Sequence, residues 1–238
     1  MNFALDQELS GLRKAVRAII DEHVIPAEAE VLQEDAQDKD TTLQSLRRRV
    51  KDAGLWTPHL PEEHGGRGLG FFGMAVLFRE MGRSLIGPSV FGCDAPDQGN
   101  MDLLINAASP AIQATYLKPL CAGETTSAFC MTEPAPGAGA DPRNLKTRAT
   151  RVGDEWRIDG HKWYSTGGAR AAFLIVMART SEDPRAGATL FIVDRHAPGV
   201  THLRDIDVLA APMLTHREAE FRFEDVRVSE AHILGEVG

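Results

Sequence analysis

The spacing of apolar residues changes once along these 238 residues, near Gly123, and that change limits the chain to a helical part followed by a β part. Before it, Leu9, Leu12, Val16, Ile19, Ile20 and Val24 recur at three- and four-residue steps from Leu5 onward, the period of one face of a helix that Pro26 interrupts or ends. Beyond the acidic stretch Glu34 to Asp40, Thr41 and Gln44 form a capping-box pattern ahead of Leu43, Leu46 and Val50, with Gly54 at the C-cap. The Arg47 to Arg49 run on this second helix reads as a solvated face. A Gly- and Pro-rich loop, Leu60 to Gly68, leads into a helical pattern over Phe71 to Met81 that closes at Gly82; His64 in that loop reads as structural or solvent-facing. Ser109-Pro110 has the form of an N-cap and N1 proline, opening a helix towards Leu120.

After Gly123 the segments Ser127 to Thr132, Thr147 to Val152, Glu155 to Asp159, Ala172 to Ala178, Ala188 to Val193 and Ala219 to Val228 are short and rich in β-formers, with loops at Ser181 to Gly187 and His196 to Gly199. Val152-Gly153-Asp154-Glu155 carries a two-residue hairpin turn. Helices followed by strands predict an α+β multidomain chain: an all-α N-terminal domain over residues 1–124 and an antiparallel β-barrel over 125–238. A net charge of −8 without a basic block argues against a nucleic-acid surface. Cys93, Cys121 and Cys130 lack metal-type spacing, so no metal site is expected. No signal or transit pattern opens the chain, and no apolar run approaches the roughly 20 residues that span a bilayer, so a soluble protein of the reducing cytoplasm is expected.

Two segments carry chemistry. The first runs from the apolar Phe129-Cys130-Met131 through Thr132-Glu133-Pro134 into Ala135-Pro136-Gly137-Ala138-Gly139-Ala140-Asp141, where small residues let backbone N–H groups approach a ligand. The second, Gly160 to Gly168, sets Trp163 and Tyr164 beside the hydroxyls of Ser165 and Thr166, so that an aromatic ring lies on a flat ligand while a hydroxyl bonds its edge. Together they read as a site for a large flat cofactor; the alternative is that Trp163 and Tyr164 only fill the barrel.

In this order the two segments resemble the flavin-binding signatures of the acyl-CoA dehydrogenase family: Cys-x-Thr-Glu-Pro at Cys130 to Pro134, and Gly-x-Lys-aromatic-aromatic-x-Thr at Gly160 to Thr166. Ala95-Pro96-Asp97-x-Gly99-Asn100-Met101 is similar to the branch that holds the long multidomain human members. The resemblance implies FAD, contacted by Phe129, Met131, Thr132, Gly137, Ala138, Gly139, Tyr164, Ser165 and Thr166. It puts Tyr164 at the place of the family's flavin-covering tryptophan and Thr166 at that of its N5-bonding threonine; a one-residue shift would give the first role to Trp163. Ala140 stands where the family has a ligand-touching serine, so that hydroxyl is missing, and Ala135 and Pro136 are additional residues.

Leu234-Gly235-Glu236-x-Gly238 resembles the entry to the family's C-terminal four-helix domain, which brings the catalytic glutamate and most of the oligomer interface. No catalytic residue is therefore assigned: Glu133 is read as orienting its loop, and neither Asp141 nor Glu155 matches the base. The activity implied is α,β-dehydrogenation of an acyl-CoA to a trans-2-enoyl thioester, with an electron-transfer flavoprotein as oxidant and a homo-oligomer as the complete form. Residues 1–238 alone are expected to bind FAD weakly and to show little activity. Other readings are an acyl-CoA oxidase or flavin monooxygenase on the same fold, or a non-catalytic fragment needing a partner subunit.

Overall fold

The computed structural model describes residues 4–33, 39–183, 187–209 and 216–238. The acidic residues 34–38 and residues 184–186 of the predicted 181–187 loop lie outside the described residues. Two compact units are present, Met1–Asp94 and Ala95–Leu209 with His216–Gly238. The change from helix to strand comes later, between Cys121 and Ser127, because the last helices belong to the compact unit of the strands.

The first unit holds α1 (Gln7–Ile19), a π turn (Ile20–Val24), α2 (Ile25–Leu32), α3 (Lys39–Asp52), α4 (Phe71–Met81) and α5 (Gly87–Val90). Asp6 caps α1, its carboxylate accepting from Leu9 N at 2.7 Å. Pro26 does not end the first helix. A proline cannot donate to the turn before it, and the π turn absorbs the defect, with Ile25 N bonding Ile20 O five residues back. α3 starts at Lys39, so Thr41 lies inside its first turn rather than at the cap, and the predicted capping box is not formed. Its other end is as expected: Gly54 takes φ 65° and Leu55 N reaches back to Val50 O, a Schellman closure. Arg47 is not a solvated residue, since its guanidinium donates to the carbonyl and hydroxyl of buried Ser89; Arg48 and Arg49 are exposed. Val16, Ile20, Val24, Val50, Leu77 and Met81 form the centre of this unit's core.

The second unit opens with α6 (Asp97–Ala107), α7 (Pro110–Ile112), a π turn (Gln113–Leu117) ahead of Pro119, and α8 (Lys118–Cys121). Its strands are β1 (Ser127–Cys130), β2 (Arg148–Val152), β3 (Glu155–Thr166), β4 (Phe173–Arg179), β5 (Ala188–Asp194), β6 (Val200–Ile206), β7 (Glu218–Ser229) and β8 (Ile233–Leu234). They form one sheet in the order β6-β7-β3-β2-β4-β5-β8, with β1 also on β4. Pairing is antiparallel except that β1 and β4 run parallel, as does the single β2–β4 link. The β2–β3 hairpin stands between β1 and β4 and supplies the long crossover that a parallel pair requires. Trp156, Ile158, Val176, Phe191, Phe221 and Phe223 fill the interior. Burying each such side chain contributes about 1.5–3 kcal/mol.

α6 is tied to the sheet through its first turns. The Asp97 carboxylate accepts from Ser127 N and Oγ at 2.8 and 2.6 Å, and Asn100 donates to Ser127 Oγ at 2.9 Å. Ser127 begins the strand that runs straight into the Thr132 loop, so this contact fixes where the loop starts.

Candidate functional site

The loop after β1 is built on one buried carboxylate. Glu133, 2% exposed, accepts from Ala138 N at 3.1 Å, Lys146 N and Thr147 N at 2.8 Å, and Lys162 Nζ at 2.9 Å. Lys162 is fully buried on β3 and donates also to Met131 O at 2.9 Å. Burial alone would raise the Glu133 carboxyl. The Lys162 charge, aided by the hydrogen bonds from Thr147 and Lys146, outweighs it and holds the group at about 2. Burial pushes the Lys162 ammonium down, against the pull of the Glu133 charge. Glu133 thus orients the loop, as its place in the sequence suggested. Its lysine partner was missed; the available signal was a charged residue at an inward position of a β pattern.

β3 crosses this loop closely. A Cβ on Gly160 would lie 2.3 Å from Thr147 Oγ1, so only glycine fits there. Further on, Lys162 pairs with Phe221 and Ser165 with Ala219, leaving one extra residue on β3 between them. This β-bulge takes Trp163 and Tyr164 off the regular in–out alternation. Tyr164 adopts φ 51° and is 45% exposed, Trp163 is half-buried, and their rings meet edge to face at 4.9 Å. The two aromatics therefore do not fill the sheet's interior. Trp163 N donates to Thr132 O at 3.0 Å, which joins the loop to the bulge directly.

The residues expected to touch cofactor fall as follows. Met131, Thr132 and the Trp163–Tyr164 pair are brought together by the Lys162 and Trp163 bonds, and Gly139 by a two-way bridge to Glu133. Phe129 sits half-buried on β1, and Thr166 ends β3. Ser165 goes elsewhere: its side chain is fully buried with Oγ beside the Cys130 thiol, away from the exposed Tyr164. The expected role of the glycine amides also changes. Gly137 N donates to Pro134 O, Ala138 N to the Glu133 carboxylate and Gly139 N to Glu133 O, so all three N–H groups turn into the loop. Ala140 N alone of this group has no partner among the described residues, and Ala140 is exposed. Thr166 hydrogen-bonds the carboxylate of Glu218, a residue no sequence pattern had marked.

Of the carboxylates on the two sequence segments and the hairpin, Glu133, Asp141 and Glu155, none suits a proton acceptor. Glu133 is occupied by four donors, and Asp141 forms a two-point pair with Arg143 that lowers its carboxyl below the ordinary range. Glu155 is exposed at the β2–β3 hairpin. No group of three or more metal-ligating side chains exists among the described residues, and no helix there is long and apolar enough to cross a membrane.

This arrangement of loop, lysine-bearing strand and preceding helices is shared with known proteins. Residues 6–124 match the acyl-CoA dehydrogenase N-terminal domain and residues 128–226 the acyl-CoA dehydrogenase middle domain. The chain belongs to the acyl-CoA dehydrogenase family. It is 35% identical to the probable acyl-CoA dehydrogenase FadE2 of Mycobacterium tuberculosis over all of its own length and 60% of that protein's. It is 32% identical to human acyl-CoA dehydrogenase family member 11, covering 93% of this chain and 30% of the relative. A putative acyl-CoA dehydrogenase from Mycobacterium abscessus superposes with a TM-score of 0.90 at 32% identity, over 99% of this chain and 62% of that structure. The chain therefore spans 60% of the length of the first of these curated relatives and 30% of the second.

For a member of this family the residues present fit a flavin. Among the described residues the Thr132 hydroxyl has no partner and Trp163 Nε1 is a buried donor without an acceptor, and a Cβ on Gly139 would meet nothing within 4 Å. A planar ligand edged with acceptors answers these features.

Proposed function

We propose that the protein oxidises an acyl-CoA thioester between its α and β carbons, with FAD held against the Thr132 loop, the β3 bulge and Thr166. The observation that carries this reading is the direct joining of loop and bulge through the Trp163–Thr132 and Lys162–Glu133 bonds, on a chain that belongs to this family. FAD when bound supplies the hydride acceptor.

The chain's own residues do the rest. Phe129 and Met131 exclude water from the ring, Thr132 offers its free hydroxyl to a polar ring edge, and Tyr164 covers the ring from its exposed position on the bulge. Gly137, Ala138 and Gly139 contribute closeness rather than donors, leaving the Ala140 amide to meet an anionic group. With alanine at 140 the substrate gains no hydroxyl contact there. Since Glu133 and Asp141 are both held well ionised, we assign the proton acceptor to a part of the protein beyond these residues. An electron-transfer flavoprotein as oxidant, homo-oligomeric assembly and a cytoplasmic setting complete the proposal.

The test is anaerobic mixing of the full-length, FAD-loaded protein with acyl-CoA thioesters of different chain length and branching. Loss of the oxidised flavin absorbance, with the enoyl thioester as product, is expected. A protein that binds FAD yet keeps its absorbance with every saturated thioester, in the presence or absence of an artificial electron acceptor, refutes the reading.

A further inference from the structure

Thr166 faces Glu218 across the β3–β7 ladder, and its hydroxyl lies 2.9 and 3.0 Å from the two carboxylate oxygens. A threonine hydroxyl has one proton to give. Committed to Glu218, that proton leaves Thr166 Oγ1 with lone pairs only for anything bound on its other side. Glu218 is half-buried, and among the described residues it has no Lys, Arg or His within ion-pair distance; neighbouring Arg217 pairs with Asp207 instead. No cation among the described residues therefore neutralises its charge.

We propose that Glu218 is a positioning residue that fixes the Thr166 hydroxyl as an acceptor and stands a negative charge behind it, so that Glu218 sets the reduction equilibrium of the flavin. The inference rests on the flavin reading given above. Its two effects act in opposite directions. A ring nitrogen that carries a proton is a donor and suits the acceptor Thr166, whereas a bare ring nitrogen meets it lone pair to lone pair, so orientation favours the reduced ring. The carboxylate, one hydroxyl away in a partly dry site, disfavours added electrons and favours the oxidised ring.

The effects separate by substitution. Glu218→Gln keeps a carbonyl oxygen to take the Thr166 proton and removes only the charge. Glu218→Ala removes both. In the full-length protein loaded with FAD and equilibrated against a reference dye, Glu218→Gln raises the ratio of reduced to oxidised flavin about tenfold at fixed potential, which is ~30 mV for a two-electron couple. Glu218→Ala raises it less, by about threefold, and in a Thr166→Val background the Gln and Ala variants become indistinguishable. A merely structural Glu218 would shift the melting temperature and FAD affinity without moving the ratio. The inference is overturned if wild type binds FAD and Glu218→Gln leaves the ratio within twofold, or if Gln and Ala still differ without the Thr166 hydroxyl. A wild type that binds no FAD overturns the flavin reading itself, and this inference with it.

Discussion

Replacing Lys162 by Met removes the one cation paired with Glu133 among the described residues while keeping most of the side-chain volume. Lys162 is fully buried and Glu133 is 2% exposed, so little water reaches the carboxylate that is left behind. Three backbone donors remain on it, from Ala138, Lys146 and Thr147. Breaking one side of such a buried pair costs on the order of 3–5 kcal/mol. Despite its burial, the Glu133 carboxyl is held at about 2 against an ordinary 4.5 by the Lys162 charge and the Thr147 and Lys146 hydrogen bonds, which points the same way. The folded pKa is depressed, so this stabilisation is complete above the unfolded value and is lost as pH falls from 4.5 through 2. Without the lysine charge, burial raises the carboxyl and the acid loss in that window shrinks. Denaturant unfolding of wild type, Lys162→Met, Glu133→Gln and the double variant between pH 3 and 8 tests this. The double variant should recover at least about 2 kcal/mol of the single-variant loss, since no buried charge is then left unpaired. A Lys162→Met protein within about 1 kcal/mol of wild type at pH 7, or a double variant no better than the worse single one, refutes the reasoning.

Gly160→Ala forces a methyl to 2.3 Å from Thr147 Oγ1 and should destabilise by about 1–3 kcal/mol, read as a lower unfolding midpoint at unchanged slope. Asp97→Ala leaves buried Ser127 N without its acceptor and should cost about 1–3 kcal/mol by the same measurement. Tyr164→Ala should weaken FAD binding by about 0.5–1.5 kcal/mol, measured by flavin fluorescence, while leaving the melting temperature nearly unchanged because the ring is 45% exposed. Burial raises the thiols of Cys121 and Cys130 to about 11 and raises Cys93 further, so none should react with an alkylating reagent at pH 8 until the protein unfolds.

Local chemistry was legible in the sequence. Apolar steps gave α1 and α4, Gly54 and Gly123 with φ 65° and 66° end helices as glycines should, and Gly153 closes the β2–β3 hairpin. Each of these depends on residues a few positions apart, which is the range over which periodicity and turn chemistry act. The miss at Thr41 lies at the same scale, where an earlier helix start replaced the expected cap, and Pro26 interrupts the first helix through a π turn without stopping the chain's helical course. What only the tertiary structure decided lies across the sheet. Lys162 meets Glu133 from 29 residues away, and Thr166 meets Glu218 from 52. The Trp163–Tyr164 bulge exists only relative to β7, and it is the bulge that moves two aromatics off the alternation while returning Ser165 to the interior. Register between distant strands sets all three, because a shift of one residue reverses which face every side chain points to, and a single chain read in order carries no measure of that register.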